Sequence, residues 1–190
     1  MPRFDPLKSV SASVVLSYLM QGYDTPSAIA KQMHKTSENV IEHLRKLIWA
    51  DIVAKSKKEG KIQHYIINWE ILFKNALPTI LSPITEFSSA QKGKEQKSFW
   101  INWTRLLDLN SDPTFFVQFK IYCINHVSNE LILNYTTQQR TFKDEMIHYG
   151  YWLILNKDRA LKAIPSLKQF YDIYEFQRSK CIKKIIPFPR

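Results

Sequence analysis

The feature that most restricts the fold is a change in the spacing of apolar residues near residue 51. Before it, apolar residues recur at helical spacing and predict an amphipathic helix over residues 37–50. This apolar face consists of Val40, Ile41, Leu44, Leu47 and Ile48. After it, two runs rich in β-branched residues, 52–57 and 62–68, flank a turn that contains Gly60. The change of period therefore predicts a helix followed directly by a β-hairpin.

The residues before this helix carry the signals of a second, shorter helix. Thr25 precedes Pro26, a pair that predicts an N-cap and the first helical residue, where the missing N–H of proline costs nothing. The inward side of this helix is predicted to consist of Ile29, Ala30 and Met33. A tight turn at His34-Lys35 then leads to residues 36 and 37, either of which can cap the amphipathic helix.

One further helix is predicted before the short helix, and another after the hairpin. Apolar residues at helical spacing over residues 7–20 predict a first helix, which Gly22 ends. After the hairpin, Asn68 is a suitable N-cap for a helix over residues 69–77, which Pro78 is expected to close. The predicted order is helix, short helix, turn, amphipathic helix, hairpin, helix.

The remainder of the chain has a helical pattern without β signals. The polar stretch 82–98 is predicted to be a linker. Helices are expected over residues 99–109, from Pro113 to about Val127, around residues 142–153, and over 158–180 with an interruption at Pro165; the tail 181–190 is expected to be extended. We therefore predict a mainly α protein with an N-terminal domain at 1–81, a linker at 82–98 and an all-α C-terminal domain at 99–190.

Composition narrows the classes of function. A hydrophobic content of 45% supports a packed core, and four glycines with no glycine-rich phosphate-loop motif argue against a nucleotide-binding loop. The formal net charge of +10 favours a polyanionic partner, which charge alone does not identify as DNA, RNA or an anionic membrane. The two cysteines do not form a disulfide framework, and no apolar run is long enough for a membrane span. These features predict a soluble protein of the cytoplasm, with a prokaryotic nucleoid as the expected setting.

No catalytic or metal-binding pattern emerges. Cys123 and His126 have a spacing that can hold zinc, but no second pair accompanies them, so a buried cysteine and a surface histidine are the better interpretation. The acidic pair Asp144-Glu145 fits a solvated helix face better than an acid–base dyad. We expect no enzymatic activity, no metal and no cofactor.

The order of elements is that of a helix-turn-helix followed by a wing. In such a unit the second helix enters the major groove of duplex DNA, while a basic hairpin contacts the adjacent backbone or minor groove. The helical wheel also leaves Glu38 and Glu42 on the outward face, which is unfavourable beside phosphate. The expected DNA-binding residues are Lys35, Thr36, Ser37, Asn39, His43 and Lys46 at the helix, and Lys55, Lys57, Lys58 and Lys61 on the hairpin.

The stretch TPSAIAKQMHKTSENVIEHLRKLIWADIV, followed by AKSKKEGKIQHYIIN, resembles the winged helix-turn-helix transcription regulators of the ArsR and MarR type. The first part is similar to their block of two helices and a short strand, and the second is similar to their wing. The resemblance covers only the N-terminal part and implies a homodimer that reads a palindrome in double-stranded DNA. The metal-binding cysteine cluster of the metal-sensing members is missing.

Alternatives remain for both halves of the chain. A winged helix can instead serve as an adaptor that assembles proteins without reading DNA, although an adaptor has no need for four lysines on the hairpin. The many aromatic residues after Phe99 fit an ordinary helical core with a dimer interface better than a pocket for a small-molecule effector. We expect the dimer to form through helices outside the DNA-reading part. The candidate surfaces are the first helix, the fourth helix and the C-terminal helices, and we expect the C-terminal domain to provide the contact.

Overall fold

The computed structural model describes residues 5–83, 109, 111–168, 170–172 and 175. The described chain is mainly helical with one antiparallel sheet of two strands. The helices are α1 (Val10–Met20), α2 (Pro26–Met33), α3 (Ser37–Trp49), α4 (Trp69–Ile80), α5 (Pro113–Tyr122), α6 (Ser128–Leu133), α7 (Phe142–Leu155) and α8 (Lys157–Ala163). The strands are β1 (Val53–Glu59) and β2 (Ile62–Ile67).

The chain divides into two compact units that are not consecutive in sequence. Residues up to Ala76 and the segment Phe119–Met146 form the first unit, and the segments Leu77–Gln118 and Ile147–Arg190 form the second. The predicted limits instead assigned everything after residue 99 to a separate domain. Apart from Ser82 and Pro83, the predicted linker lies outside the described residues, so its role stays a prediction.

In the first unit, helix α1 is covered on all sides. Every residue from Ala12 to Met20 is buried, because helix α6 packs on α1 in addition to α2, α3 and β2. Two polar contacts fix the segment 119–146 there: the backbone N–H of Phe142 donates to Ser13 Oγ at 2.8 Å, and the Gln21 side chain donates to Asn129 at 2.8 Å. The sequence predicted that apolar residues at helical spacing would bury one face of this helix, but the structure buries all of its faces. Helix α1 also begins at Val10, after a short 3₁₀ turn at Pro6–Lys8.

The two helices before the hairpin form as their capping residues predict. Thr25 Oγ1 accepts from the N–H of Ala28, and Pro26 is the first residue of α2. His34 ends α2 in the left-handed region at φ 53°, and the N–H of Lys35 donates to the Ala30 carbonyl. Thr36, one of the two predicted caps, is the N-cap of α3.

The hairpin is confirmed, with a bulge that the sequence did not predict. Glu59 pairs with Ile62 across the two-residue loop, whose first residue, Gly60, has φ +58°. Lys55 pairs with Tyr65 but Lys58 pairs with Gln63, so two residues of β1 oppose one residue of β2. The N–H of Tyr65 donates to the Asp24 carbonyl at 2.8 Å, which attaches the sheet to the loop before α2.

Pro78 does not close helix α4, which continues to Ile80. The apolar residues Leu77, Ile80 and Leu81 are buried on either side of the proline, and their burial offsets the local cost of about 3 kcal/mol that proline imposes inside a helix. In the second unit Gly150 of α7 lies against this helix end. A Cβ at this position would be 2.0 Å from the Ile80 carbonyl oxygen, so the close packing requires glycine.

The C-terminal helices agree in type with the prediction and differ in extent. The helix that begins at Pro113 passes through a π-helical turn at Cys123–Val127 and ends at Leu133, beyond the expected end near Val127. The four residues expected on the inward face of the next helix, Phe142, Met146, Tyr149 and Leu153, are all buried. A 3₁₀ turn at Pro165–Leu167 follows α8, as the predicted interruption requires. The expected helix over 99–109 and the extended tail lie outside the described residues, except for Leu109.

Candidate nucleic-acid interface

Helix α3 presents a polar outer face because its apolar side is fixed in the first unit. Val40, Leu44 and Leu47 are fully buried, which fixes the rotation of the helix about its axis. Thr36 and Asn39 are exposed at its first turn, and Thr36 Oγ1 accepts from the N–H of Asn39 at 3.4 Å. Ser37 is half-buried. The first turn of α3 therefore offers the Asn39 carboxamide to a partner molecule.

Charge on this outer face is largely compensated. Lys46 Nζ lies 2.5 Å from Glu42 Oε1, one helical turn away, and this hydrogen bond lowers the pKa of the Glu42 carboxyl. Glu38 is a second exposed carboxylate. Arg45 is exposed and forms no ion pair with any described carboxylate. The sequence analysis missed Arg45, although its spacing of i+7 from Glu38 places it on the same face.

His43 was predicted to point outward, but the structure places it partly inside. Its side chain is half-buried, and its Nδ1 has no hydrogen-bond partner in the structure. Burial lowers the pKa of His43, and the nearby charge of Lys46 lowers it further. The imidazole is therefore neutral near pH 7. The helical wheel does not show these surroundings, because Tyr135, which lines the same cleft as His43, is distant in sequence.

The hairpin is the more strongly basic surface. All four of its predicted lysines are exposed: Lys55, Lys57, Lys58 and Lys61. Lys57 lies 2.6 Å from Glu59, and their hydrogen bond raises the pKa of the lysine. The other three form no ion pair with any carboxylate in the part of the chain that the structure describes. Their positive charge is thus available to an anionic partner.

The bulge in the hairpin has its own support from Gln63. The side-chain amide of Gln63 lies within hydrogen-bond distance of the carbonyl oxygens of Ser56, Lys57 and His64, at 3.3, 3.1 and 2.9 Å. Two of these carbonyls belong to the bulged residues, which leave the regular ladder of the sheet. Gln63 therefore stabilises the part of β1 that carries the lysines. No sequence signal identifies this function of a glutamine in a strand.

His64 connects the hairpin to the loop before α2. Its Nδ1 lies 2.8 Å from Asp24 Oδ2, and its Nε2 lies 3.6 Å from Glu59 Oε2. The His64 side chain is only 13% exposed, whereas the side chains of Asp24 and Glu59 are 47% and 59% exposed. Together with the backbone bond from Tyr65 to Asp24, these contacts hold the base of the hairpin against the helical part of the unit.

Two depressions border helix α3 at its opposite ends. A cleft of about 180 Å³ brings Lys35, Asn39 and His43 together with Ser11 and Tyr135. A larger depression of about 620 Å³ lies beside Trp49 and includes Asp5, Asp51 and Asn75. Trp49 is 71% exposed, as its outward position on the helical wheel predicts.

The described residues contain no group of three or more histidine, cysteine or acidic side chains that could hold a metal ion. Cys123 is fully buried, whereas His126 is exposed and lies against the Tyr122 ring, with 5.0 Å between ring centroids. Within the same residues, no helix has both the length and the apolar character needed to cross a bilayer.

Comparisons of this chain with protein-family models, with curated proteins and with solved structures find no match. The assignment of function therefore depends on the geometry and charge of the surfaces described above.

Proposed function

We propose that the N-terminal part of the chain is a winged helix-turn-helix that binds double-stranded DNA and regulates transcription. Helix α3 is the recognition helix of this proposal, and the β1–β2 hairpin is its wing. The observation that carries the proposal is the set of lysines on the hairpin, Lys55, Lys58 and Lys61, which are exposed and have no described carboxylate partner. A fixed hairpin with such charge suits the phosphate backbone beside a groove.

A second candidate function is supported by a different part of the same helix. Trp49 is 71% exposed at the end of α3, and Glu38 is exposed near its start. Tryptophan is enriched at the centres of protein–protein interfaces, and a carboxylate is unfavourable beside phosphate. A winged-helix adaptor that binds another protein through α3 would use both residues. It would not need the lysines of the hairpin.

Binding of a labelled random duplex, measured by fluorescence anisotropy over a range of salt concentrations, separates these candidates. The DNA-binding proposal expects a steep linear fall of log K with log salt concentration. It also expects a shallower slope when Lys58 and Lys61 are both replaced by alanine. The double variant Lys162→Ala/Lys168→Ala is the matched control, because it removes two exposed lysines in the second compact unit. Equal slopes for the control and the hairpin variant would contradict the proposal.

The proposal includes a homodimer, since one small module buries too little surface to select its site among many competitors. Two of the three surfaces predicted from sequence are already occupied within the chain. Helix α1 is buried, and so are Leu72, Phe73 and Ala76 of α4. The part of helix α7 that lies in the second unit retains an exposed apolar group that consists of Tyr151, Trp152 and Leu155. We therefore assign the dimer contact to α7.

Sedimentation of the full chain tests the dimer assignment. Leu155 is 81% exposed, so Leu155→Glu should leave the fold intact and shift the protein to a monomer. Leu133→Glu is the control, because Leu133 is exposed to a similar degree, 73%, on helix α6 of the first unit. A dimer that persists in the Leu155 variant would contradict the assignment to α7.

A further inference from the structure

The cleft at the first turn of α3 is built from five separate parts of the first unit. Ser11 belongs to α1, Met33 to α2 and Lys35 to the turn, while Tyr135 follows α6. Helix α3 contributes Asn39, Val40 and His43. The volume of about 180 Å³ is well above the space of a single water molecule.

The side chains around this cleft are rich in hydrogen-bond donors. Lys35 contributes an ammonium group that forms no ion pair with any described residue, and Asn39 contributes a carboxamide. The hydroxyl groups of Ser11 and Tyr135 lie 3.5 Å apart, a contact at the limit of hydrogen-bond distance that leaves both able to donate elsewhere. Among the residues that the structure describes, no aspartate or glutamate lines the cleft. A ligand that accepts several hydrogen bonds and carries negative charge suits this set.

We propose that this cleft binds one phosphate group through Lys35, Asn39, Ser11 and Tyr135. The site depends on these side chains rather than on the end of α3, because Thr36 already accepts from the N–H of Asn39. Met33 and Val40 supply an apolar wall, which weakens competition from water and strengthens the charged hydrogen bonds. Through the hydroxyl group of Tyr135, the segment 119–146 contributes directly to the proposed site.

Two sources of phosphate share this chemistry. A free phosphate or phosphate ester can enter the cleft from solution, and a backbone phosphate of duplex DNA can do so when α3 approaches the groove. The second source depends on the proposed DNA binding, whereas the first does not. A ligand of the first kind would occupy Lys35 and Asn39 and would thus compete with DNA for these two residues.

The test is a titration of the full chain with inorganic phosphate at constant ionic strength, with chloride as the balancing anion. Resonances of the Asn39 side-chain amide, followed by NMR, should shift to saturation with phosphate and not with chloride. Tyr135→Phe, which removes only the hydroxyl, should weaken phosphate binding about fivefold, and Lys35→Gln should weaken it tenfold or more. Tyr23→Phe is the control, because Tyr23 is a half-buried tyrosine of the first unit that does not line the cleft, and it should change nothing.

Absence of a saturable shift, or equal weakening by Tyr135→Phe and Tyr23→Phe, would overturn the proposal. The affinity of the Tyr135→Phe variant for a random duplex then identifies the source. Weaker duplex binding supports a backbone phosphate, whereas unchanged duplex binding supports a free phosphate or ester. If the chain binds phosphate in the cleft but binds no duplex at all, the DNA-binding proposal fails and the phosphate site stands.

Discussion

Helix α3 and the β1–β2 hairpin both have exposed polar surfaces, but they differ in how far nearby carboxylates compensate their positive charges. On α3, Lys46 is held by Glu42 at 2.5 Å and Glu38 adds a further negative charge. On the hairpin, a carboxylate, Glu59, holds Lys57 at 2.6 Å, and three other lysines have no described acidic partner. The helix is thus nearly neutral with one amide at its first turn, and the hairpin is strongly positive.

In the proposed complex with DNA, this difference gives the two elements different roles, one in affinity and one in specificity. Uncompensated lysines bind phosphates of any sequence and give affinity that depends on salt. A carboxamide on a nearly neutral helix adds little affinity, but it can pair with the N6 and N7 atoms of adenine and so distinguish bases. Affinity would then come mainly from the hairpin and specificity mainly from α3. Each of the following predictions tests one side of this comparison.

The largest effect is expected on the hairpin. Replacement of Lys55, Lys58 and Lys61 by alanine should weaken binding to selected and random duplexes alike. If all three contact phosphate, the slope of log K against log salt concentration should fall by about 2.7, or about 0.9 for each contact. Salt titrations of both duplexes measure this. A loss confined to the selected duplex would mean that the hairpin reads bases, contrary to the comparison.

A smaller and more selective effect is expected on α3. Asn39→Ala should cost about 1–3 kcal/mol on the best sequence selected from a random pool, and little on random duplex. Asn75→Ala, an exposed asparagine of α4, is the control. Equal losses on both duplexes would show that Asn39 contacts only phosphate, in agreement with the proposed cleft but not with base reading.

The sequence predicted those parts of this comparison that depend on neighbouring residues. Thr25, Pro26 and Gly60 act locally, so the start of α2 and the glycine turn of the hairpin were predicted correctly. The buried face of α3 was also predicted, because helical spacing alone determines it. The predicted hairpin lysines are exposed, as contact with DNA requires.

The parts that failed depend on residues distant in the chain. Tyr135 and the segment 119–146 change both the surroundings of His43 and the burial of α1, and no local pattern indicates this packing. Ion pairs such as Lys57–Glu59 and the bulge supported by Gln63 depend on side-chain geometry that spacing does not specify. Pro78 shows a further limit, since burial of its neighbours overrides a local signal for a helix end.

The third prediction concerns the compensated charge of α3. Glu42→Gln removes the carboxylate that holds Lys46, so the outer face of the helix becomes more positive. Binding to random duplex should strengthen, and the salt slope should steepen by up to about 0.9 if Lys46 then contacts phosphate. Glu70→Gln, at an exposed position of α4, is the control for a general change in net charge. An equal gain in both variants would show that only net charge matters.

The last prediction concerns His43 and has the smallest effect. Burial lowers the pKa of His43 in the folded state, so the unfolded chain binds a proton more readily. The free energy of unfolding should therefore decrease as pH falls below the ordinary histidine value of about 6.5, and this contribution should disappear above it. His43→Gln should flatten this dependence, as urea unfolding at several pH values would show, while His148→Gln, at an exposed position in the second unit, should not.

Because the imidazole is neutral near pH 7, His43→Gln should leave the salt slope of duplex binding unchanged at that pH. A reduced slope would mean that His43 carries charge to the DNA and that α3 contributes to affinity as the hairpin does.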